Sequence, residues 1–311
     1  MLNKLKGRDL LSMQDLTKTE IEYLFEWAKR LKREKSGAYL KNKTLVMIFR
    51  KASTRTRVSF EVAMNQLSGY ALTLSSLESQ LGRGESVEDT ARVLSRYCDG
   101  MVIRTYAHKE VEDFSVFANI PVVNGLSDME HPCQIISDMF TIIEKKKTLK
   151  GLKVAFIGDG NNVVNSWILA AGLMGFTLAV ASPKGYEPPK EYAACGLKFA
   201  GESGGKIEIL NNPVKAVKDA DVVYTDVWAS MGQEDEHVKR VKAFKGFQVN
   251  SELLKHAKKD CLVMHCLPAH REEEITSEVM ESGNSVIWDQ AENRLHAQKA
   301  ILVCLMGDKL L

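Results

Sequence analysis

Two hydroxyl side chains and two arginines share one short turn of this sequence, STRTR at residues 53–57. The turn follows the apolar run 45–49 and opens a stretch with apolar residues at helical spacing, so it predicts a helix that starts directly after a strand. The N–H groups and the dipole at a helix N-terminus favour an anion, and Arg55 adds a planar fork that matches phosphate oxygens. The same residue types also suit an ordinary helix cap. Two arginines in one turn favour a phosphate site over a cap alone.

Other polar side chains follow apolar runs in the same way, namely Arg104, His131, Gln134, Asn161, Asn162, Asp226, His265 and Cys266. With arginines beside it, His131 can polarise a carbonyl group, while Gln134 can contact an adjacent amide and Asp226 can bind an ammonium group. Open α/β sheets bind ligands at the carboxyl ends of their strands. Two such sheets facing each other would place all these side chains around one cleft.

Short apolar runs alternate with amphipathic stretches along the chain. The runs are 45–49, 101–103, 121–123, 154–157, 178–181, 222–224, 262–264 and 286–288, and the stretches are 13–34, 54–67, 86–97, 109–118, 132–145, 162–174 and 290–306. This alternation predicts βαβ units and therefore an α/β fold in which parallel sheets are covered by helices. The basic segment 144–151 interrupts the series. We therefore expect two domains, 1–146 and 147–289, with a final helix over 290–311 that packs back on the first.

Composition narrows the class of protein. The 311 residues are 45% hydrophobic and 26% charged, and 42 basic and 40 acidic side chains leave a net charge of +2. No basic block is long enough to act as a nucleic-acid arm, so a small anionic ligand is expected. The six cysteines are scattered, and no segment has the length and apolar character of a membrane span or a signal peptide. These features predict a cytoplasmic protein that binds neither nucleic acid nor membranes.

Two motifs invite cofactor or metal interpretations that the residues do not support. The turn GDGNN at 158–162 lacks the third glycine of a dinucleotide fingerprint, because Val163 stands there, and no acidic residue ends the next strand. His265 and Cys266 are neighbours, and in a strand they would point to opposite faces. No other ligand pair has zinc spacing. We therefore expect no organic cofactor and no metal.

Several motifs in order cover nearly the whole chain and resemble the ornithine branch of the aspartate/ornithine carbamoyltransferase family. They are FRKASTRTR, SQLGRGES, HPCQ, GDGNN, DVWASMG and MHCLP, followed by Arg294 in the last helix. STRTR and HPxQ are typical of carbamoyltransferases in general. The SMG loop and the Cys of HCLP are typical of the ornithine branch, and the aspartate enzymes differ at both. The putrescine branch is similar but lacks the Ser-Met-Gly arrangement, so it is the nearest alternative, along with a related enzyme for another amine.

The resemblance implies transfer of the carbamoyl group of carbamoyl phosphate to the δ-amine of L-ornithine, giving L-citrulline and phosphate in arginine metabolism. It assigns to carbamoyl phosphate the residues Ser53, Thr54, Arg55, Thr56, Gln80, Arg104, His131, Gln134, Cys266, Leu267 and Arg294. Of these, Gln80 would reach the site of a neighbouring subunit, and the catalytic group comprises Arg104, His131, Cys266 and Arg294. Ornithine would contact Asn162, Asp226, Ser230 and Met231. Arg57 is expected in a structural ion pair.

The resemblance also implies a homotrimer, or a higher multiple of trimers, with active sites at subunit interfaces and without metal or cofactor. Attack of the amine builds negative charge on the carbonyl oxygen, where Arg104, His131 and Thr56 would form a set of oxyanion donors. Arg55 would stabilise the leaving phosphate, and no protein nucleophile is needed. A non-catalytic phosphate-binding module would need Arg55 but neither Asp226 nor Cys266. A nucleotide-dependent oxidoreductase would need the missing glycine and acid.

Overall fold

Helices and parallel strands alternate along the chain in a computed structural model that describes residues 4–75, 80–229 and 234–308. Contacts between residues divide the chain into two units. Unit 1 comprises Met1–Phe140 and Asn293–Leu311, and unit 2 comprises Thr141–Glu292. Among the described residues, no helix combines the length and the apolar character that crossing a membrane requires.

Unit 1 contains a four-stranded parallel sheet in the order β2-β1-β3-β4. Its inner strands are apolar on both faces, as expected for strands that helices cover on both sides. Its elements are α1 (Lys18–Glu34), β1 (Thr44–Phe49), α2 (Thr54–Gln66), β2 (Tyr70–Ser75), α3 (Val87–Leu94), β3 (Gly100–Arg104), α4 (His108–Phe117), β4 (Val122–Leu126) and α5 (Pro132–Lys146), with 3-10 turns at Met13–Asp15 and Gln80–Arg83.

Unit 2 contains a five-stranded parallel sheet in the order β7-β6-β5-β8-β9. Its elements are β5 (Lys153–Ile157), α6 (Asn162–Met174), β6 (Thr177–Ala181), α7 (Lys190–Ser203), β7 (Lys206–Leu210), α8 (Pro213–Val217), β8 (Val222–Thr225), α9 (His237–Ala243), α10 (Ser251–Leu254), β9 (Leu262–His265) and α11 (Ser277–Met280), with a 3-10 turn at Glu234–Glu236. The last helix, α12 (Ile287–Met306), begins in unit 2 and continues into unit 1. Helix α6 ends at Gly175 in the left-handed conformation, which glycine adopts without steric cost.

The prediction of two parallel α/β sheets is confirmed, with corrections to individual strands. The run 286–288 is not a strand, because helix α12 begins at Ile287 and Trp288 is more than half exposed. Strands β2 and β7 were missed. Both lie at sheet edges with partly exposed faces, so their sequences alternate between polar and apolar residues instead of forming apolar runs.

The contact-based division of the chain falls inside two helices. Helix α5 carries the chain from unit 1 into unit 2, and helix α12 carries it back. The first crossing lies a few residues before residue 146, where the basic segment suggested a boundary, because α5 continues without a break to Lys146. The proposed boundary at 146/147 stays a prediction.

A buried lysine anchors the unit 1 part of helix α12. The Lys299 ammonium is fully buried and donates three hydrogen bonds, to the main-chain oxygens of Leu31 and Lys35 and to Gln66 Oε1, at 2.9 to 3.0 Å. An ammonium has three donors, so this geometry satisfies all of them. The three acceptors lie at the end of α1 and the end of α2, so one side chain connects three helices.

We expect Lys299→Met to lower the free energy of unfolding by about 1–3 kcal/mol, because it leaves buried acceptors without their donor. The Met side chain preserves most of the buried volume, so the loss reports on the hydrogen bonds. Urea denaturation checks this, with the exposed lysine of α1, Lys29→Met, as the matched control. An unchanged midpoint for Lys299→Met would show that the three bonds contribute no net stability.

Candidate active site

In the unit 1 sheet, the order in which strands are added reverses between β1 and β3. From β1 the chain first adds β2 on one side, and then crosses to add β3 and β4 on the other. Such a switch point leaves a crevice beyond the carboxyl ends of the two central strands, where α/β sheets bind ligands. Strand β1 leads to the N-terminus of α2, and strand β3 ends at Arg104. The predicted phosphate turn and the predicted carbonyl-polarising arginine therefore lie at the same switch point.

The STRTR turn forms the first turn of helix α2. Ser53 is the N-cap, and its hydroxyl accepts the main-chain N–H of Thr56 at 3.2 Å. Thr54 and Arg55 are exposed, while Thr56 is buried. Arg57 forms the predicted ion pair, with its Nε 3.0 Å from Glu61 Oε1. Among the described residues, no carboxylate lies within ion-pair distance of Arg55, so the two arginines of the turn have different surroundings.

The hydroxyl of Thr56 lies between two buried guanidinium groups. Arg104 Nη1 donates to Thr56 Oγ1 at 3.3 Å, and Arg294 Nη2 donates to the same oxygen at 2.8 Å. Arg294 Nη1 also donates to Gln134 Oε1 at 2.9 Å. Because the two arginines use the lone pairs of the hydroxyl oxygen, its O–H is directed to donate to a further acceptor. The group is therefore rich in buried donors and suited to an anionic or carbonyl oxygen.

His131 and Gln134 lie at the start of helix α5 and are almost completely buried. Burial lowers the pKa of His131 well below its ordinary range, and the nearby charges of Arg294 and Arg104 lower it further. The imidazole is therefore neutral at neutral pH, so it can donate one N–H but carries no charge. Gln134 Nε2 donates to Asp138 Oδ1 at 2.8 Å, which fixes the orientation of its amide. Burial also raises the pKa of the neighbouring Cys133 thiol to about 12 and makes it unreactive.

Gln80, which the resemblance also assigned to carbamoyl phosphate, lies in a 3-10 turn of unit 1. It is exposed at the beginning of the 3-10 turn Gln80–Arg83, and its main-chain oxygen accepts the N–H of Glu85 at 3.1 Å. Its assignment to the site of a neighbouring subunit stays a prediction.

The unit 2 sheet has its own switch point, between β5 and β8, and Asp226 follows the second of these strands. The Asp226 carboxylate is buried and accepts three hydrogen bonds. Asn161 Nδ2 donates to Oδ2 at 2.7 Å, while the main-chain N–H of Val227 and the thiol of Cys266 donate to Oδ1 at 2.8 and 3.0 Å. A carboxylate offers about four lone-pair sites. The three donors therefore orient the carboxylate and leave it able to accept a further donor.

Asn161 is a site residue that the resemblance did not assign to either substrate. It caps helix α6 by accepting the main-chain N–H groups of Val163 and Val164, and its amide also orients Asp226. An Asn directly before a predicted helix is a capping signal that could have identified it. Asn162, which the resemblance assigned to ornithine, is the first residue of α6 and is half-buried.

The glycines of the GDGNN turn have packing roles that require no dinucleotide. Gly158 has a φ of 149°, and a Cβ at Gly160 would lie 2.3 Å from the main-chain carbon of Glu187. Only glycine fits where two backbones approach this closely.

Cys266 and Leu267 follow strand β9 in a segment that His265 holds in place. His265 Nδ1 accepts the N–H of Leu267 at 2.9 Å, so its proton lies on Nε2, which donates to buried Glu274 at 2.9 Å. Leu267 adopts a φ of 58°, a left-handed conformation that is unfavourable for Leu. The hydrogen bond from its N–H to His265 opposes relaxation of this conformation. Cys266 and Leu267, which the resemblance assigned to carbamoyl phosphate, therefore belong to a constrained segment.

The expectation that His265 and Cys266 point to opposite faces was wrong. Strand β9 ends at His265, so the alternation of a strand does not extend to Cys266. Ligand atoms of Asp226, His265 and Cys266 all lie within 4.8 Å of one another. Both nitrogens of His265 are already engaged, by Leu267 and Glu274.

Arg240 connects the GDGNN turn to the chain that follows Asp226. Its buried guanidinium lies 3.0 Å from Asp159 and donates to the main-chain oxygen of Trp228 at 2.9 Å. Burial raises the pKa of Asp159 to about 6 even though Arg240 opposes the shift. No sequence signal linked these residues, because Asp159 and Arg240 lie 81 positions apart in the chain. Ser230 and Met231, the remaining predicted ornithine contacts, lie outside the described residues.

The whole chain is similar to known carbamoyltransferases. Residues 8–144 match the family model described as aspartate/ornithine carbamoyltransferase, carbamoyl-P binding domain, and residues 150–305 match its Asp/Orn binding domain. The ornithine carbamoyltransferase of Pyrococcus horikoshii is 58% identical over 99% of this chain and 98% of its own length. The anabolic ornithine carbamoyltransferase of Pyrococcus furiosus is 57% identical over 99% of both chains.

Solved structures give the same result. The ornithine carbamoyltransferase structure from Pyrococcus furiosus has a TM-score of 0.95 and 56% identity, with 98% of this chain and 99% of that chain covered. The structure of the enzyme from Gloeobacter violaceus has a TM-score of 0.89 and 46% identity, with 97% and 99% covered.

Proposed function

Because this chain belongs to the aspartate/ornithine carbamoyltransferase family, we propose that it transfers the carbamoyl group of carbamoyl phosphate to the δ-amine of L-ornithine. The products are L-citrulline and phosphate, and the reaction is a step of arginine biosynthesis. The observation that carries the proposal is the Thr56 hydroxyl between the buried guanidinium groups of Arg104 and Arg294.

The donors of unit 1 suit both ends of carbamoyl phosphate. The exposed Arg55 and the first N–H groups of α2 bind the phosphate, where anions at a helix N-terminus are favoured. Thr56, Arg104 and neutral His131 donate to the carbonyl oxygen, and Gln134 faces the carbamoyl amide. Arg294 fixes the Gln134 amide by donating to its oxygen. Removal of Arg294 would therefore disturb both Gln134 and the donors to the carbonyl oxygen.

The acceptors of unit 2 suit the amine substrate. Asp226, with three donors already in place, uses its remaining capacity to bind the α-ammonium group of ornithine. This leaves the δ-amine free to react near Cys266. The ornithine contacts of Asn162, Ser230 and Met231 are part of the same proposal.

Catalysis then combines orientation with electrostatics. The neutral δ-amine attacks the carbonyl carbon, negative charge grows on the carbonyl oxygen, and preorganised donors stabilise it. The C–O bond to phosphate breaks, phosphate leaves with the electron pair of that bond, and Arg55 stabilises its charge. The proton that the attacking nitrogen loses passes to the leaving phosphate. Holding two substrates in reactive orientation supplies several kcal/mol of the rate enhancement. The reaction needs no protein nucleophile, metal or organic cofactor.

The proposal includes the assembly and the compartment. The enzyme is a homotrimer, or a higher multiple of trimers, in which Gln80 contributes to the carbamoyl phosphate site of a neighbouring subunit. It acts in the cytoplasm. Light scattering of the purified protein tests the assembly.

The reaction is tested by mixing the purified protein with carbamoyl phosphate and either ornithine or putrescine and measuring the carbamoylated product and phosphate. We expect ornithine to have the higher kcat/KM, because putrescine lacks the α-carboxylate of ornithine. Asp226→Asn should raise the KM for ornithine by about 10- to 100-fold, because the loss of one hydrogen bond to a charged group has an effect of this size. The exposed Asp219→Asn is the matched control.

Each outcome has a definite meaning. Equal or better use of putrescine would overturn the ornithine assignment and favour a putrescine carbamoyltransferase. Absence of product with both amines, in a folded protein that still binds carbamoyl phosphate, would favour a binding module.

A further inference from the structure

A second group of chemically competent side chains lies in unit 2 and contains none of the residues proposed for catalysis. His237 Nε2 lies 3.0 and 3.1 Å from the two carboxylate oxygens of Glu273, and His270 Nδ1 lies 3.7 Å from Glu273 Oε2. One ligand atom from each of the three residues lies within 4.8 Å of the others. We propose that His237, His270 and Glu273 bind a divalent transition-metal ion.

The separations between the donor atoms suit a small ion. A tetrahedral ion with bonds of about 2.0–2.1 Å places its ligand atoms roughly 3.3 Å apart. The shortest separations here, 3.0 Å for His237 and 3.7 Å for His270 from the same Glu273 oxygen, lie on either side of that value. Small side-chain rotations therefore bring all three to an ion. The coordinate bonds would replace the hydrogen bond between His237 and Glu273.

The donor set selects the class of metal. Two imidazole nitrogens and one carboxylate suit Zn²⁺, Co²⁺ and Ni²⁺, whereas Mg²⁺ and Ca²⁺ prefer oxygen ligands alone. The three side chains are 32 to 46% exposed. An ion can therefore enter from solvent and keep water in its fourth position, as sites with three protein ligands do.

Two of the ligands belong to one ordered turn. The N–H of Glu273 donates to the main-chain oxygen of His270 at 3.0 Å, and the N–H of His270 donates to Glu274 Oε1 at 2.7 Å. Glu274 is fully buried and also accepts from His265. The backbone that carries His270 and Glu273 is therefore held before any ion binds, which lowers the entropic cost of binding.

The third ligand is on a separate, anchored element. His237 is the first residue of α9, and Arg240 fixes this helix one turn later through Trp228 and Asp159. A metal ion would cross-link α9 to the turn at 270–273. Binding should therefore stabilise the folded protein, because an ion that binds only the folded state shifts the unfolding equilibrium.

The test uses full-length, untagged protein stripped with a chelator. Titration calorimetry with ZnCl₂ is performed on Cys266→Ser. This substitution removes the thiol of a second potential ligand group among the described residues, Asp226, His265 and Cys266. We expect one saturable Zn²⁺ site per chain. In this background, His237→Ala or Glu273→Gln should weaken Zn²⁺ affinity by at least about tenfold. Loss of a residue that only supports a metal ligand already costs about that much. His256→Ala, an exposed histidine of the same unit, should leave it unchanged.

Two further measurements separate a built site from adventitious binding. Co²⁺ should give visible absorption without a thiolate charge-transfer band, and Zn²⁺ but not Mg²⁺ should raise the Tm of the Cys266→Ser protein. Circular dichroism tests whether each variant is folded. If His237→Ala does not fold, His270→Ala replaces it. Absence of saturable Zn²⁺ binding to Cys266→Ser would overturn the proposal. Equal Zn²⁺ affinity with and without His237 and Glu273 would also overturn it and leave a hydrogen-bonded His–Glu pair.

Discussion

Replacing Arg55 by Ala will lower kcat/KM for carbamoyl phosphate by about 10²- to 10³-fold, the range for losing one preorganised donor to developing charge. Replacing Arg57 by Ala will have a much smaller effect. The two arginines lie in the same turn of α2, but Arg57 pairs with Glu61 on the exposed surface, and such pairs contribute little. Steady-state kinetics of the two variants at saturating ornithine provide the comparison.

Arg55→Lys sharpens this prediction. An ammonium keeps the charge but cannot form the bidentate contact of a guanidinium with phosphate oxygens. We expect Arg55→Lys to recover little of the lost activity. Near-normal turnover of the Lys variant, or equal losses for Arg55→Ala and Arg57→Ala, would refute the phosphate role of Arg55.

The rate with ornithine will rise with pH from 6 to 8, by about tenfold per unit in kcat/KM, because the attacking δ-amine must be neutral and a free alkylamine titrates near ~10.4. His131 will not produce this rise. Burial and two nearby arginines lower the pKa of its imidazole well below the usual range, so it is already neutral at pH 6. We therefore expect His131→Asn to reduce the rate but retain the slope.

The contrary result is equally clear. A His131→Asn enzyme with substantial activity and a flat profile would identify His131 as the general base.

The pH dependence of stability provides a second test of the protonation state of His131. The unfolded chain binds a proton at His131 below about pH 6.5, whereas the folded protein does not, so wild type loses stability as the pH falls through that value. His131→Asn should lose less stability over the same pH interval.

The sequence was most informative where chemistry and secondary structure coincide. STRTR could be placed at a helix start because an apolar run precedes it and apolar residues follow it at helical spacing, and Ser53 is indeed the cap of α2. The ion pair of Arg57 was predictable because Glu61 lies one helical turn away. The edge strands β2 and β7 were not predictable from apolar runs, since sheet edges retain exposed faces.

Contacts between residues distant in sequence could not be derived from pattern alone. The resemblance assigned Arg294 to carbamoyl phosphate, but only the structure shows that it shares the Thr56 hydroxyl with Arg104. Similarly, Asn161 reads as a helix cap, and its bond to Asp226 depends on the order of strands in the sheet. The face of Cys266 was predicted wrongly because the end of β9 could not be located to one residue.

The division of unit 1 into two sequence segments has a consequence for its synthesis. The second segment supplies Arg294, which binds the Thr56 hydroxyl, and Lys299, which holds the ends of α1 and α2. Unit 2 is one continuous stretch that the ribosome completes first. Unit 1 can therefore complete its fold only after residues 293–306 have been synthesised, although most of unit 1 is translated before unit 2.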